Sequence, residues 1–252
     1  TMDGTAQAAS DYTAVTGTLT FARGETQKIV TVAVNGDTEG EGDESLSLEL
    51  SNPVGATIAD GSGSGVIKDD DCTILGTPGN DVIMGTAGPD VICGLDGVDI
   101  IKGLGGDDQI DGGAGSDRMV GGDGNDIING GEGDDWVRYS DSPAGVTIDL
   151  SADVTSDDGR GGSDVLISVE RAFGSKAGND TITGDNGDNV LSGLGGNDTL
   201  YGLGGNDRLL GGFGDDTIYG GDGDDRLEGD PGTDTCIDDS GTNTFLVCEV
   251  IA

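Results

Sequence analysis

The chain reads GTPGNDVIM at residues 76–84 and GTAGPDVIC at residues 85–93, which is one nine-residue pattern written twice. The pattern is Gly-x-x-Gly-x-Asp-x-apolar-x, and it occurs fourteen times, in uninterrupted blocks of seven at residues 76–138 and 175–237, with Ser175 in place of the first Gly in one copy. The fourth position is always Gly and the eighth is always apolar, while the sixth is Asp in thirteen copies and Asn189 in the other. So strict a register predicts a stacked repeat architecture.

Each nine-residue unit combines a turn of six residues with a strand of three. Gly at the first and fourth positions permits positive φ and a backbone tight enough to direct carbonyl oxygens inward. Side chains alternate along the strand, so the eighth residue points inward and its neighbours point outward. A strand this short buries nothing alone, so the units must stack. If each unit turns the chain through half a coil, residues eighteen apart lie above one another, separated by about 4.8 Å.

The stacking places the sixth-position residues in four inward-facing ladders, which are the predicted metal ligands. They are Asp81, Asp90, Asp99, Asp108, Asp117, Asp126 and Asp135 in the first block, and Asp180, Asn189, Asp198, Asp207, Asp216, Asp225 and Asp234 in the second. Adjacent carboxylates repel each other, and a hard cation between them removes the repulsion. Two carboxylates and the turn carbonyls supply the oxygen ligands that calcium prefers. Pairs eighteen apart predict roughly ten calcium ions, with the Asn189 rung the weakest.

The composition favours calcium over softer metals and links the metal to the fold. The chain has 49 acidic and 11 basic residues, no His and a formal charge of −38. The absence of His and of Cys clusters argues against zinc. Such a surface repels nucleic acid and anionic membranes, and no apolar run is long enough to span a bilayer. Low hydrophobicity with high net charge predicts a disordered chain when calcium is absent.

The nonapeptide resembles the calcium-binding repeat of RTX, or hemolysin-type, proteins. The resemblance covers residues 76–138 and 175–237 and implies a parallel β-roll with calcium in its turns. It also implies that the segment between the two blocks is an insert of a kind frequent in such proteins.

The four cysteines lie at the two ends of the repeat region and predict two disulfides in an oxidising compartment. Leu75 stacks beneath Cys93 by the eighteen-residue rule, so a bond between Cys72 and Cys93 is geometrically reasonable. Cys236 holds an inward eighth position and can pair with Cys248, which would fix the tail over the open end. The alternative is four free buried thiols.

The first 71 residues alternate apolar and polar residues and predict an antiparallel β-sandwich. The predicted strands cover residues 14–21, 27–34, 45–50 and 65–68. Short sequences with the order and spacing of DGTA at residues 3–6, SDY at 10–12, GET at 24–26, EGDE at 41–44, LSNP at 50–53 and DDD at 69–71 resemble the Calx-β family. The fold class is therefore all-β: an incomplete Calx-β sandwich followed by an RTX β-roll.

The Calx-β resemblance implies a second calcium site, at one end of the sandwich. Its candidate ligands, carried over by position in the family pattern, are Asp11, Asp37, Glu41, Glu44, Asp69, Asp70 and Asp71. The alternative is a set of solvated acidic turns. The aspartate run before the family's acidic loop is reduced here to Asp37, and the family's first strands would lie upstream of Thr1. We expect the chain to be a fragment; otherwise another polypeptide completes the sheet by strand addition.

The sequence predicts five consecutive regions. They are the partial sandwich (1–71), the first repeat block (72–138), an insert (139–174), the second block (175–237) and a C-terminal cap (238–252). The insert is predicted to hold two strands, at residues 145–150 and 164–169, that continue or cap the roll. Glu170 and Arg171 are interpreted as a solvated surface pair. The apolar tail at residues 244–248 covers the last coil, because a solenoid end otherwise exposes its core.

These features predict a calcium-binding structural module and not an enzyme. Without His, a Ser-His-Asp triad and a His-based zinc site are excluded, and a single Trp makes a glycosidase cleft improbable. We expect a bacterial extracellular or cell-surface protein that folds where calcium is abundant. One alternative is an adhesive or fibre-forming subunit that joins copies of itself or another surface protein through the sandwich edge. Another is the C-terminal, non-catalytic region of a larger secreted enzyme.

Overall fold

The computed structural model describes residues 2–4, 6, 8, 12–34, 44–67, 72–151, 155–237 and 240–251. The chain divides into two compact units, residues 1–73 and 74–252. All regular secondary structure in the described residues is β, which confirms the all-β fold class. None of them forms a helix that is long and apolar enough to cross a bilayer.

The second unit is a parallel β-solenoid of about nine turns over residues 74–246, as the repeats predict. One wall is a nine-stranded sheet. Its strands are β5 (Val82–Met84), β7 (Ile100–Gly105), β10 (Arg118–Asp123), β13 (Trp136–Arg138), β17 (Arg171–Phe173), β19 (Val190–Gly195), β21 (Arg208–Phe213), β23 (Arg226–Glu228) and β25 (Thr244–Leu246). They follow one another in this order across the sheet.

The opposite wall is a twelve-stranded sheet. Its strands are β4 (Ile74–Leu75), β6 (Val91–Cys93), β8 (Gln109–Asp111), β11 (Ile127–Asn129), β14 (Thr147–Asp149), β15 (Thr155–Asp157), β16 (Ser163–Ile167), β18 (Thr181–Thr183), β20 (Thr199–Gly204), β22 (Thr217–Asp222), β24 (Thr235–Ile237) and β26 (Val250–Ile251). Two short strands in the turns, β9 (Ala114–Gly115) and β12 (Glu132–Gly133), also pair in parallel.

Within each block, consecutive strands of one sheet pair residues eighteen apart. Ile83 lies beside Ile101 in the nine-stranded sheet, and Ile92 lies beside Ile110 in the twelve-stranded sheet. The eighth-position side chains from both walls form one continuous core; Ile101, for example, is completely buried. The half-coil geometry therefore follows the nine-residue register.

First-position and fourth-position glycines serve different purposes, which corrects the expectation that both adopt positive φ. Nine of the fourteen fourth-position glycines do so, as at Gly106 with φ +108°. First-position glycines such as Gly112 do not, and are needed because a side chain there would collide with neighbouring oxygens. The second position adopts positive φ in ten of the fourteen copies, even where the residue is Leu104 (φ 81°).

The described part of the insert, residues 139–151 and 155–174, contains four strands where two were predicted, and it joins the two repeat blocks. In the nine-stranded sheet, β17 alone bridges β13 and β19, with all three parallel. In the twelve-stranded sheet, the antiparallel strand β15 lies between β16 and β14. Because β16 pairs with β11 and β14 with β18, both walls run through the insert without a break.

The first unit contains a three-stranded antiparallel sheet of β1 (Met2–Asp3), β2 (Glu44–Glu49) and β3 (Ser62–Ile67). The strands predicted at residues 14–21 and 27–34 are absent among the described residues. That segment turns at Arg23 and Gly24, and Tyr12 bridges Val34 at its base. Phe21 and Ile29 are 52% and 83% exposed, so this hairpin lacks the packed face that stabilises strands.

Candidate metal centre

Each sixth-position aspartate ends a turn and precedes a strand, with its carboxylate facing inward. The Oδ1 atom accepts a hydrogen bond from the backbone N–H of the residue one coil earlier. Asp99 Oδ1 accepts from Asp81 N–H at 2.8 Å, and Asp117 Oδ1 accepts from Asp99 N–H at 2.8 Å. The contact repeats through both blocks, so the fourteen predicted residues do lie in stacked ladders.

The ladder beside the nine-stranded sheet runs through the insert to the tail. Asp135 N–H donates to Glu170 Oε2 at 2.8 Å, and Val190 N–H donates to the Glu170 carbonyl at 3.1 Å. Glu170 is therefore a half-buried rung between the blocks, which corrects its interpretation as part of a solvated pair. Its neighbour Arg171 forms an ion pair with Asp134. Asn243 adds a last rung, because its Oδ1 accepts from Asp225 N–H at 2.6 Å.

The ladder beside the twelve-stranded sheet is interrupted once. Asp126 N–H donates to Asp164 Oδ1 at 3.0 Å, which adds a rung from the insert. The apolar residue Val146 then occupies a rung position, and its N–H donates to Asp180 Oδ1 at 2.8 Å. Glu249 adds a last rung by accepting from Asp234 N–H at 2.7 Å.

Three of the four additional rungs lie outside any complete nonapeptide, so the repeat pattern does not predict them. The fourth lies within a complete copy: residues 159–167 read GRGGSDVLI, which is Gly-x-x-Gly-x-Asp-x-apolar-x. That fifteenth copy starts 29 residues after the copy that begins at Gly130, so it is out of phase with the nine-residue register. A search without a fixed phase finds Asp164, whereas no complete pattern contains Glu170, Asn243 or Glu249.

The second carboxylate oxygen of most ladder aspartates is buried without a hydrogen-bond partner. This holds for ten of the fourteen predicted residues: Asp99, Asp108, Asp117, Asp126, Asp135, Asp198, Asp207, Asp216, Asp225 and Asp234. The other four begin the ladders of their blocks, and there a backbone N–H satisfies the side chain. Thr77 N–H donates to Asp81 Oδ2, for example, and Asp185 N–H donates to Asn189 Oδ1 at 2.7 Å.

The unpartnered oxygens converge with backbone carbonyls beside the first-position glycines. A Cβ atom on Gly112 would lie 2.6 Å from Asp117 Oδ2 and 2.6 Å from the Gly130 carbonyl oxygen. Calcium binds oxygen at about 2.3–2.6 Å, so a carboxylate and a carbonyl surround a point of suitable size. No three acidic, His or Cys side chains cluster as a metal site in the described ranges. Carbonyl oxygens must therefore supply much of the ligand set.

Burial without a counter-charge raises the pKa of ten of the predicted ladder carboxyls. The pKa is raised to about 7 for Asp126, Asp198 and Asp207, and to about 6 for Asp135 and Asp216. Desolvation is the largest cause, and neighbouring carboxylates add to it. The hydrogen bond from the backbone N–H opposes the rise. The ladders therefore need protons or cations to neutralise them.

The predicted second calcium site falls largely outside the described residues. Asp11, Asp37, Glu41, Asp69, Asp70 and Asp71 are not among those described. Glu44 begins β2, but only its backbone is described. The Calx-β ligand set therefore stays a prediction.

The predicted disulfide at the C-terminal end is present: Cys236 is bonded to Cys248, with their Cα atoms 5.9 Å apart. Cys72 and Cys93 are each disulfide-bonded as well, and no cysteine is free. The alternative of four free thiols is wrong.

Comparison with known families agrees with the geometry. The Calx-beta domain model matches residues 1–71. The model of the RTX calcium-binding nonapeptide repeat matches four times, at residues 75–110, 111–140, 176–209 and 201–236. No curated protein matches the chain significantly.

We predict that Gly112→Ala destabilises the calcium-loaded roll by about 1–3 kcal/mol, the usual cost of overpacking. The added methyl group would displace Asp117 Oδ2 or the Gly130 carbonyl. Urea denaturation in saturating calcium measures the effect. Gly105→Ala is the matched control, because the nearest atom to its Cβ would be 3.6 Å away and its φ is ordinary. Equal stability of the two variants would contradict the claim that the first position must be Gly to leave room for the oxygens of the turn.

We predict that lowering the pH stabilises the calcium-free roll, because bound protons neutralise part of the ladder charge. An unfolded Asp has a pKa of about 3.9, whereas the folded pKa of Asp126, Asp198 and Asp207 is about 7. The folded roll therefore binds more protons, so its calcium-free stability rises as the pH falls from about 7 towards 4. Circular dichroism in calcium-free buffer should show more β-structure at about pH 5 than at pH 8. Replacing the three residues by Asn should reduce this pH dependence; equal spectra of the unmodified chain would refute it.

Proposed function

Because the chain belongs to the family of RTX calcium-binding nonapeptide repeat proteins, we propose that it is a secreted or cell-surface structural module that folds on binding calcium. The repeats identify the roll as calcium-binding. The coupling of folding to calcium binding, the number of bound ions and the cellular location are parts of the proposal.

The observation that carries this proposal is the set of ten unpartnered aspartate oxygens in the roll. A buried carboxylate without a partner is costly, and an isolated buried charge costs far more than a paired one. Here the cost recurs along every ladder, and the chain carries a formal charge of −38. We infer that the calcium-free roll is unstable at neutral pH and that calcium supplies the missing positive charge.

The proposed ligands are the aspartates of the ladders together with turn carbonyls such as that of Gly130. The ligand chemistry fits calcium, which accepts many oxygen atoms in flexible geometry. Asn189 offers an amide in place of a carboxylate, so its rung is proposed to be the weakest. Glu170, Asp164, Asn243 and Glu249 extend the ladders beyond the roughly ten sites that the repeats predict.

The proposed location follows from calcium supply and from the cysteines. Extracellular calcium modules bind with dissociation constants of about 10⁻⁴–10⁻³ M, so they stay empty at cytoplasmic calcium levels. The disulfide between Cys236 and Cys248, and the bonded state of Cys72 and Cys93, suit an oxidising compartment. We propose no catalytic role for the chain.

Calcium titration followed by circular dichroism tests the proposal. Parallel β-structure should form cooperatively as calcium rises, with little structure at the start at pH 8. Magnesium serves as the matched control, because it demands octahedral geometry at about 2.0–2.1 Å and keeps its water ligands. A full β spectrum in chelator, or equal folding by magnesium, would refute calcium-coupled folding.

A second candidate function, adhesion, is supported by the charge distribution on the outside of the roll. Six of the eight basic residues after residue 73 lie on strands of the nine-stranded sheet. They are Lys102, Arg118, Arg138, Arg171, Arg208 and Arg226. The strands of the twelve-stranded sheet carry no Lys or Arg in their described residues. Basic side chains are thus concentrated on one face of an acidic protein.

Aromatic rings hold several of these cations in place. The guanidinium carbons of Arg118 and Arg171 lie 4.7 and 4.9 Å from the centre of the Trp136 ring. Arg138 lies 5.8 Å from the Phe173 ring, which stacks on Trp136. Consecutive strands are about 4.8 Å apart, so the cations form a stripe along the roll axis. We propose that this stripe binds a linear anionic polysaccharide.

The net charge of the chain does not prevent such binding. Charges farther away than about 8 Å are largely screened at physiological ionic strength. Arg171 pairs with Asp134, and Arg208 and Arg226 pair with Glu228, so the attraction rests chiefly on the other three cations of the stripe. Calcium bound inside the roll would offset part of the remaining negative charge. Joining of copies through the sandwich edge remains a separate prediction.

Surface plasmon resonance on an immobilised uronic-acid polymer, in fixed calcium, tests this role. The double variant Lys102→Gln, Arg118→Gln should weaken binding roughly two- to thirtyfold, because an exposed ion pair contributes about 0.2–1 kcal/mol. Arg160→Gln is the matched control, since Arg160 lies off this face and pairs with Asp123 and Asp141. Equal binding by both proteins, or equal binding to a neutral polysaccharide, would rule the stripe out.

A further inference from the structure

The loop that precedes β16 contains a buried acidic residue outside the repeat pattern. Asp158 stands immediately before the fifteenth copy at residues 159–167 and is completely buried. Its Oδ1 accepts hydrogen bonds from the N–H groups of Arg160, Gly161 and Gly162 at 2.7, 2.9 and 2.9 Å. Three donors on one oxygen fix the orientation of the carboxylate.

The other oxygen of Asp158 has no partner. Asp158 Oδ2 is buried without a hydrogen bond, and so is Asp126 Oδ2 in the neighbouring turn. The two turns lie against each other: Asp126 N–H donates to Asp164 Oδ1, and Ser163 N–H donates to Asn125 Oδ1. Burial is the main cause of the raised pKa of Asp126 and of Asp164, and the negative charge of Asp158 adds to it.

Nearby groups do not supply a counter-charge. The guanidinium group of Arg160 is directed to Asp123 and Asp141 instead. Asp164 is already engaged at both oxygens, because the buried Tyr139 hydroxyl donates to its Oδ2 at 2.8 Å. Asp164 therefore cannot offer the free second oxygen that the other aspartates of this ladder offer, and Asp158 provides one in its place.

A close backbone approach at Gly162 brings a carbonyl oxygen near the Asp158 carboxylate. A Cβ atom on Gly162 would lie 2.9 Å from Asp158 Oδ2 and would collide with the Gly124 carbonyl oxygen. A carboxylate and a carbonyl therefore meet at a position that only glycine leaves open, as they do beside Gly112.

We propose that Asp158, together with Asp126, binds one further calcium ion at the junction between the first block and the insert. The inference rests on the proposed calcium-binding function, but its ligand lies outside the nonapeptide. Such an ion would join two turns whose rungs, Asp126 and Asp164, are 38 residues apart in sequence instead of eighteen. It would hold the chain in register across its longest interruption.

Native mass spectrometry of the full calcium-loaded chain tests this site by counting bound ions. Asp158→Asn should bind one calcium fewer than the unmodified protein. The amide oxygen can still accept the three N–H bonds, so the loop should keep its shape while the ligand charge is lost. Asp157→Asn is the matched control, because Asp157 is exposed and adjacent and should leave the count unchanged.

The outcomes separate this inference from the proposed function. A full complement of ions in the unmodified chain with an unchanged count in Asp158→Asn overturns the junction site alone. Failure of the unmodified chain to bind calcium overturns the proposed function. A calcium-loaded crystal structure of the unmodified chain tests the site without any substitution. A calcium ion in contact with Asp126 and Asp158 supports the site, and water alone at that position refutes it.

Discussion

The rest of this structure depends on one constraint, the burial of stacked carboxylates inside the roll. Within the ladders an aspartate uses one oxygen to hold the N–H of the preceding coil, as Asp117 does for Asp99. In ten of the predicted residues the other oxygen is buried in the turn without a hydrogen-bond donor. One oxygen sets the register of the coils and the other requires a cation, so the same side chain couples the fold to calcium.

Much of the architecture could be predicted because the repeat is regular. The eighteen-residue pairing, the inward eighth position and the four ladders all follow from a period of nine and from the alternation of side chains in a strand. The pairing of Ile83 with Ile101 is a direct consequence, and so is the inward position from which Cys236 bonds Cys248. The carboxylate ladders likewise indicate a hard cation, because repeated acidic residues facing inward have no other plausible counter-charge in this sequence.

The remaining features depend on contacts that local pattern does not encode. Glu170 resembles a surface residue in sequence, but β17 places it between Asp135 and Asn189. Asp158 is held by its own loop, in which three backbone N–H groups donate hydrogen bonds to one oxygen of its carboxylate. The hairpin at residues 13–33 alternates like a strand pair, but it forms no strands, and Phe21 and Ile29 are not covered by any of the residues that the structure describes.

Hydrogen–deuterium exchange with and without calcium tests the central claim most directly. The N–H groups of the ladder aspartates donate to carboxylates of the next coil, so they report on the ladder itself. The account predicts strong protection of peptides containing Asp99, Asp117 and Asp198 in saturating calcium at pH 8, and rapid exchange once calcium is removed. Equal protection of these peptides in the absence of calcium would contradict it.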